Sequence, residues 1–278
     1  MKLPLTPFLL AVELIFLLHV FRNASEGKRL PPARLTLFWS WILLCAAVAT
    51  YVGFLGVYAS ESLLKYFPGF WLQSIPVIAC IGPVLLNGRL RDELRRAVDG
   101  TRREHFILFH MLRLSAVGTL IGAGKHEFPM YFEILVGIPD LIFALSTFWV
   151  LRLARTSRLT RRAFLYWNLV GALVIVPAAP VLIQLGLPGR LQLFTGQPDA
   201  TAVFAFPMSI ASVFGVPLFV LVNLMLVWRL WERRPSHNRR RIILPAPAWT
   251  SWAETLRKLP DRHSSKPMRR AFRSLSAL

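Results

Sequence analysis

The chain has 278 residues, of which 55% are hydrophobic and only 17% are charged, and its mean hydropathy is +0.50. Soluble domains carry about a quarter charged residues, so this composition excludes an ordinary soluble domain. The net charge of +19 could suit a nucleic-acid-binding protein, but the basic residues lie in short runs between long apolar segments. Lipid headgroups and the membrane potential explain that placement better, so we expect no nucleic-acid partner.

Seven apolar segments are long enough to be membrane-spanning helices, because about 20 residues cross the roughly 30 Å of hydrocarbon. They are residues 3–21, 35–58, 67–86, 105–124, 128–151, 164–185 and 203–228. Backbone groups in lipid must form hydrogen bonds internally. The sequence therefore predicts an all-α bundle of about seven transmembrane helices over residues 1–234. The first segment lacks a small-residue cleavage site, which favours an uncleaved span over a signal peptide.

The basic residues alternate between consecutive connections. Lysine and arginine together number 4, 1, 6, 1, 5 and 1 in the successive connections and 13 from residue 229 onward. Cytoplasmic connections carry the excess of these residues, which predicts an amino terminus outside and a carboxyl terminus inside. Arginine outnumbers lysine 27 to 6, as is typical of a GC-rich bacterial genome. We therefore expect a multi-pass protein of a bacterial cytoplasmic (inner) membrane.

Two parts of the chain have the pattern of basic amphipathic helices. Between the third and fourth segments, Leu86, Leu90, Leu94 and Val98 recur every four residues beside a basic face, which predicts a short helix at the inner interface. Residues 235–278 form a basic tail in which similar apolar stripes alternate with arginine. Such helices bind anionic lipid headgroups or a protein partner; a solvated basic tail is the alternative.

Several ionisable residues lie inside the predicted spans, where each costs about 2.5–3.5 kcal/mol on insertion scales. They are Glu13, His110, Arg113, Glu133 and Asp140, with His19 near a membrane edge. Arg113 and Asp140 are equally distant from the middle of the short connection between the fourth and fifth segments. An antiparallel hairpin would bring them to the same depth, so we predict an Arg113–Asp140 ion pair.

Further polar residues extend this pair into a candidate site. Glu133, Gly137, Asp140 and Ala144 have the spacing of one helix stripe, and His110 lies one turn from Arg113. Asn168, in the sixth segment, is a candidate hydrogen-bond partner. The residues predicted to bind a ligand or ion are Arg113, Asp140, Glu133, His110 and Asn168.

Three interpretations of this cluster stay open. The pair could lock the hairpin, exchange a proton or cation during transport, or bind a lipid or metabolite headgroup. No catalytic, nucleotide-binding or metal-binding motif occurs in its required context, so we expect no cofactor and no metal, and an enzyme is disfavoured. Haem ligation by His19 and His110 is also disfavoured. The alternative function is a non-catalytic membrane component that docks cytoplasmic partners through its basic tail.

Three segments resemble a group of uncharacterised bacterial multi-pass membrane proteins. They are HMLRLSAVGTLIGAGKHEFPMYFEILVGIPDLIFAL (110–145), YWNLVGALVIV (166–176) and FPMSIASVFGVPLFVLVNL (206–224). The shared pattern is an arginine in a span, a Leu-Pro turn, Gly-x-x-Asp, Asn-x-x-Gly and a proline-punctuated last span. The matching positions here are Arg113, Phe128-Pro129, Gly137 with Asp140, Asn168 with Gly171, and Pro207 with Pro217. Phe128 replaces the group's leucine, and Pro139 interrupts the Gly-to-Asp stretch. The resemblance covers about 120 residues and implies a bacterial membrane protein without a particular activity.

Overall fold

The computed structural model describes residues 5–25 and 32–232, which lie within the compact unit Met1–Arg234. These residues form helices and no strands. The helices are α1 (Leu5–Arg22), α2 (Ala33–Phe54), α3 (Pro68–Leu86), α4 (Gly88–Gly100), α5 (Arg103–Gly124), α6 (Met130–Arg155), α7 (Arg161–Gly186) and α8 (Met208–Glu232), with single helical turns between some of them. The predicted amphipathic tail over 235–278 lies outside the described residues.

The predicted helical bundle is confirmed, because seven helices in the described part of the chain are long and apolar enough to cross a membrane. One of them overlaps each predicted segment, and α4 is the additional amphipathic helix. The helix boundaries shift by up to five residues from the predicted segments, and two of these shifts have a clear local cause. Helix α2 ends at Phe54 because Gly56 adopts a left-handed conformation with φ of 71°, which commonly terminates a helix. Helix α8 starts at Met208, since a proline at 207 disfavours helical backbone in the residue before it.

One end of the bundle gathers the arginine-rich connections. The side chain of Asn23, which follows α1, donates to the hydroxyl of Thr101 between α4 and α5 at 3.0 Å. Arg103, at the start of α5, donates to the carbonyl of Leu159 between α6 and α7 at 3.2 Å. The connections that hold 4, 6 and 5 basic residues therefore meet on one side, which we call the basic end.

The opposite end carries few charges. The amide of Gly69 in α3 donates to the side-chain oxygen of Gln184 in α7 at 3.0 Å. The hydroxyl of Tyr131 in α6 donates to the carbonyl of Leu182 at 3.2 Å. The connections at this end contain one basic residue each: Lys65, Lys125 and Arg190. The sequence alternation is thus a segregation of charge between two ends in space.

Helix α8 forms the centre of the bundle. In its most apolar stretch 72% of the residues are buried, whereas the corresponding stretches of the other candidate spans are 22–39% buried. A helix that is apolar on all sides is one that other helices surround. The remaining spans therefore pack around α8 and expose much of their own apolar surface.

Helix α4 lies at the basic end with its apolar face buried. Asn87 caps its first turn by accepting a hydrogen bond from the amide of Leu90 at 3.1 Å. The buried face comprises Leu90, Glu93, Leu94, Ala97 and Val98. The predicted stripe was wrong in starting at Leu86, which ends α3 and is 91% exposed, because the extended Asn87 separates the two helices.

Ion pairs attach α4 to its neighbours. Arg34 of α2 lies 3.1 Å from Glu93, and Arg95 of α4 lies 2.5 Å from Glu232 of α8. The hydrogen bond to Glu232 raises the pKa of Arg95 above its already high ordinary value, so this pair stays charged. Arg229 of α8 pairs with Asp99 in the same way.

Helix α3 approaches α7 closely at Gly69. A Cβ at Gly69 would lie 2.7 Å from the backbone nitrogen of Gln184, whereas one at Gly82 in the same helix would meet nothing within 4 Å. Overpacking costs about 1–3 kcal/mol, so we expect Gly69→Ala to lower the apparent unfolding temperature in detergent by roughly 2–10 °C. Gly82→Ala should leave it unchanged or raise it slightly, because alanine favours helix. Equal shifts in the two variants would contradict this packing.

Candidate functional site

Arg113 is buried in the middle of the bundle and is held from three sides. It lies in a tight 3-10 turn of α5, Leu112–Ser115, and is 2% exposed. Its Nε lies 3.0 Å from Oδ1 of Asp140 in α6, so the predicted ion pair is present. The two atoms are not aligned for a hydrogen bond, which makes the contact primarily electrostatic. The Nη2 of Arg113 donates to the carbonyl of Gly171 in α7 at 3.0 Å.

The Gly171 carbonyl is free to accept this bond because α7 is interrupted. The regular helix Arg161–Leu173 ends two residues after Gly171. The amide of Ile175 donates to the carbonyl of Ala172 rather than to that of Gly171. The last carbonyls of a helix lack intrahelical donors and carry partial negative charge. Arg113 therefore acts as a cap for the first half of α7.

Two aromatic rings lie against the guanidinium. Its central carbon lies 4.7 Å from the ring centre of Phe143 in α6 and 5.5 Å from that of Phe219 in α8. Such cation–π contacts stabilise a desolvated arginine. Together with Asp140 and Gly171, the rings fix the position of the charge.

Acidic side chains surround this arginine. Glu13 of α1 is fully buried, and neither of its carboxylate oxygens has a hydrogen-bond partner among the described residues. Its charge acts on Arg113, and a Cβ placed on Gly215 of α8 would lie 3.4 Å from its Oε1. Asp140 keeps 15% of its side chain exposed. Glu13 was recognised in the sequence as an ionisable residue in a span, but its place in the cluster was missed.

Glu133 joins the cluster through Asp140. It is 2% exposed, and it lies near the hydroxyl of Thr119 and the carboxylate of Asp140. The backbone from Glu133 to Gly137 forms a wide π-turn, which the regular helical spacing did not predict. Glu133 packs its carboxylate over Gly137, where a Cβ would clash with it. The predicted stripe nevertheless faces inward, because Glu133, Gly137 and Ala144 are buried.

His110 is enclosed by rings rather than by charges. It is fully buried, and its ring lies 5.4–6.2 Å from those of Phe109, Phe143, Trp167 and Phe219. Neither ring nitrogen has a hydrogen-bond partner in the described residues. His110 therefore packs beside the cluster without joining its ion pair.

The two histidines considered for haem have separate surroundings. His19 lies against His105, with 3.4 Å between their ring nitrogens, whereas His110 lies in its aromatic cage. Among the described residues, no group of three or more His, Cys, Asp or Glu side chains is placed to hold a metal ion.

Two asparagines complete the polar interior. Asn168, one turn before Gly171, donates to the carbonyl of Phe164 at 2.8 Å, and its side-chain oxygen has no partner in the described residues. Asn223 of α8 is fully buried, and neither of its side-chain polar atoms has a hydrogen-bond partner in the described residues. Buried polar groups are nearly always hydrogen-bonded, so these atoms are suited to contact a small polar species. Asn223 was missed, although a lone asparagine in an apolar span is a usable sequence indication.

Arg113 and its partners give a stability prediction. Arg113→Gln leaves Glu13 and Asp140 without their cation, and breaking a buried ion pair in this way costs about 3–5 kcal/mol. We expect a large loss of monodisperse protein and of thermal stability in detergent. Asp140→Asn should cost less, because the guanidinium keeps its bond to Gly171.

Arg155 provides the matched control for this prediction. It is exposed at the end of α6, so Arg155→Gln should change the stability by no more than about 0.5 kcal/mol. If Arg113→Gln were as stable as Arg155→Gln, the central role of the buried guanidinium would be disproved.

Comparison with known proteins places the chain in a family. A family profile described as a domain of unknown function (DUF8737) matches residues 71–231, more than half of the 278 residues. The matched range includes the segments 110–145, 166–176 and 206–224, on which the expected resemblance rests. A search of curated proteins finds no match, and a search of solved structures finds none either. The chain therefore belongs to the family described as DUF8737.

Proposed function

We propose that this protein crosses a bacterial cytoplasmic membrane seven times, with its amino terminus outside and its basic tail inside. The polarity of the bundle supports this placement. Outward-facing side chains such as Leu37 and Trp149 are apolar and 66–70% exposed, whereas Glu13 and Arg113 are at most 2% exposed. A soluble protein has the reverse arrangement, and contiguous exposed apolar surface needs a lipid or protein environment. The basic end would then face the cytoplasm.

Reporter fusions test this topology. Fusions at Lys65, Lys125 and Arg190 should report the outside, and fusions at Arg96 and Arg158 the inside. The expectation follows from the segregation of lysine and arginine between the two ends. Fusion activity on the same side at Lys125 and Arg158 would contradict a crossing by α6.

We further propose that the buried cluster binds and exchanges a proton, or a small cation or other ligand in its place, during transport or ligand binding. One observation carries this proposal: the described residues place three carboxyl groups, those of Glu13, Glu133 and Asp140, in the interior with the single guanidinium of Arg113. Arg113 can neutralise one of these carboxylates. Isolated buried charges are costly, so the remaining carboxylates need a proton or another cation.

The shape of the surrounding helices also favours a functional site. Arg113 lies on a 3-10 turn of α5, Glu133 begins a π-turn of α6, and Gly215 ends a π-turn of α8. Helix α7 is interrupted just beyond Gly171. Irregular turns inside helices frequently mark functional sites, and transporters use broken helices to form binding sites near the middle of the membrane. These irregularities all lie beside the cluster.

Proteoliposomes test the exchange. Full-length protein would be reconstituted around a pH-sensitive dye, and the probes would be an imposed pH gradient and gradients of Na⁺ and K⁺. We expect protein-dependent flux of a proton or one of these cations, reduced at least tenfold by Glu13→Gln and by Asp140→Asn. Glu61→Gln removes an exposed carboxylate outside the cluster and should have no effect. Equal flux in all of these proteins would contradict the proposal.

The charge-reversed variant Arg113→Asp with Asp140→Arg distinguishes a role of the ion pair in cation exchange from a purely structural role. If it is stable and wild-type protein moves none of these cations, the pair serves only to hold the helices together. A chain ending at residue 234 should retain the wild-type flux, because all of the residues assigned to the cluster come before residue 234 in the chain. Loss of flux on truncation would instead favour a function that depends on the tail.

A further inference from the structure

A second feature of the bundle is an apolar groove at its basic end. Its volume is about 290 Å³, near the lower limit of ligand pockets, and it lies between α1, α2, α3, α4 and α8. The lining includes Phe21, Ile42, Leu85, Leu94, Met225 and Trp228. In the described part of the chain, Arg91 of α4 is the only charged residue of this lining. The groove is therefore suited to a hydrocarbon chain with one cationic contact.

The groove has a defined depth relative to the helix ends. Phe21 and Leu85 are the penultimate residues of α1 and α3, and Trp228 lies one turn before the end of α8. These three ends belong to the arginine-rich side of the bundle. In the proposed topology the groove lies in the cytoplasmic half of the bilayer.

Arg91 differs from the paired arginines around it, and unlike Arg89 and Arg96 of the same helix it is not exposed. Arg34, Arg95 and Arg229 each pair with a carboxylate at 2.5–3.1 Å. No carboxylate among the described residues pairs with Arg91, which stays half-buried beside the groove. Because a guanidinium binds phosphate through paired hydrogen bonds, this position has the chemistry of a phosphate contact.

We infer that the groove binds one anionic phospholipid, with an acyl chain along its apolar lining and the phosphate on Arg91. Bulk lipid contacts every exposed apolar surface, so the apolar lining alone would not select a headgroup. The selection comes from the charge of Arg91, and basic pockets between helices on the cytoplasmic side bind anionic headgroups elsewhere. This inference rests on the proposed membrane placement and not on exchange at the buried cluster.

Native mass spectrometry of the full-length protein tests the headgroup selection. The purified protein in detergent would receive equal amounts of phosphatidylglycerol and phosphatidylcholine with identical acyl chains. We expect one retained phosphatidylglycerol, at least tenfold over phosphatidylcholine. Arg91→Gln should reduce this retention at least tenfold, and Arg91→Lys should keep most of it. Arg96→Gln, on the exposed side of the same helix, is the matched control and should stay within twofold of wild type.

The results separate the alternatives. Equal losses of phosphatidylglycerol in Arg91→Gln and Arg96→Gln would show that its retention depends only on general surface charge, which would overturn the inference. Equal retention of the two lipids by the wild-type protein would overturn it as well. Binding seen only in a chain ending at residue 234 would show that the tail occupies the groove, which also overturns it. Comparable thermal stability of Arg91→Gln and Arg96→Gln excludes misfolding as the cause of a difference. Cation flux is measured separately, so a failed lipid test leaves the proposed exchange unaffected.

Trp228 reports the position of the lipid. Phosphatidylglycerol with brominated acyl chains should quench the fluorescence of the wild-type protein more than that of Trp228→Phe, because the ring of Trp228 lines the groove. The difference should disappear in Arg91→Gln. Identical quenching in wild type and Trp228→Phe would place the lipid elsewhere and overturn the inference.

Discussion

A positive charge buried among apolar helices is the constraint on which the centre of this bundle depends. An uncompensated ion in such surroundings is costly, so Arg113 requires partners from several directions. Helix α6 supplies the carboxylate of Asp140 and the ring of Phe143, α7 supplies a carbonyl, and α8 supplies the ring of Phe219. These contacts hold α6, α7 and α8 together around α5. The same residue thus organises the packing and provides the site with its positive charge.

The sequence predicted the parts of this arrangement that depend on neighbouring segments. Span length and hydropathy predicted the helices, and the short connection between α5 and α6 predicted the depth of Arg113 and Asp140. Glu13 could not be placed in this way, because α1 is separated from α5 by two other spans and the order of helix packing does not follow from composition. The π-turn at Glu133–Gly137 was also unpredictable, since no residue type distinguishes it from regular helix.

The family match covers most of the buried cluster but not all of it. Residues 71–231 include Arg113, Glu133, Asp140 and the asparagines of α7 and α8, whereas Glu13 lies on α1 outside the matched range. A carboxylate from α1 therefore approaches a core that belongs to the family segment. The groove lies across the same division, because α1 and α2 contribute to its lining. Both proposed sites consequently need the amino-terminal helices as well as the matched segment.

The interruption of α7 gives Arg113 a mechanical role in addition to its electrostatic one. Its guanidinium holds the end of one helical segment through the Gly171 carbonyl and faces Asp140 through another nitrogen. A displacement of the guanidinium toward the carboxylates would lengthen the bond to that carbonyl. If the acidic groups exchange a cation as proposed, the end of the first segment of α7 is the backbone that this displacement would reach first.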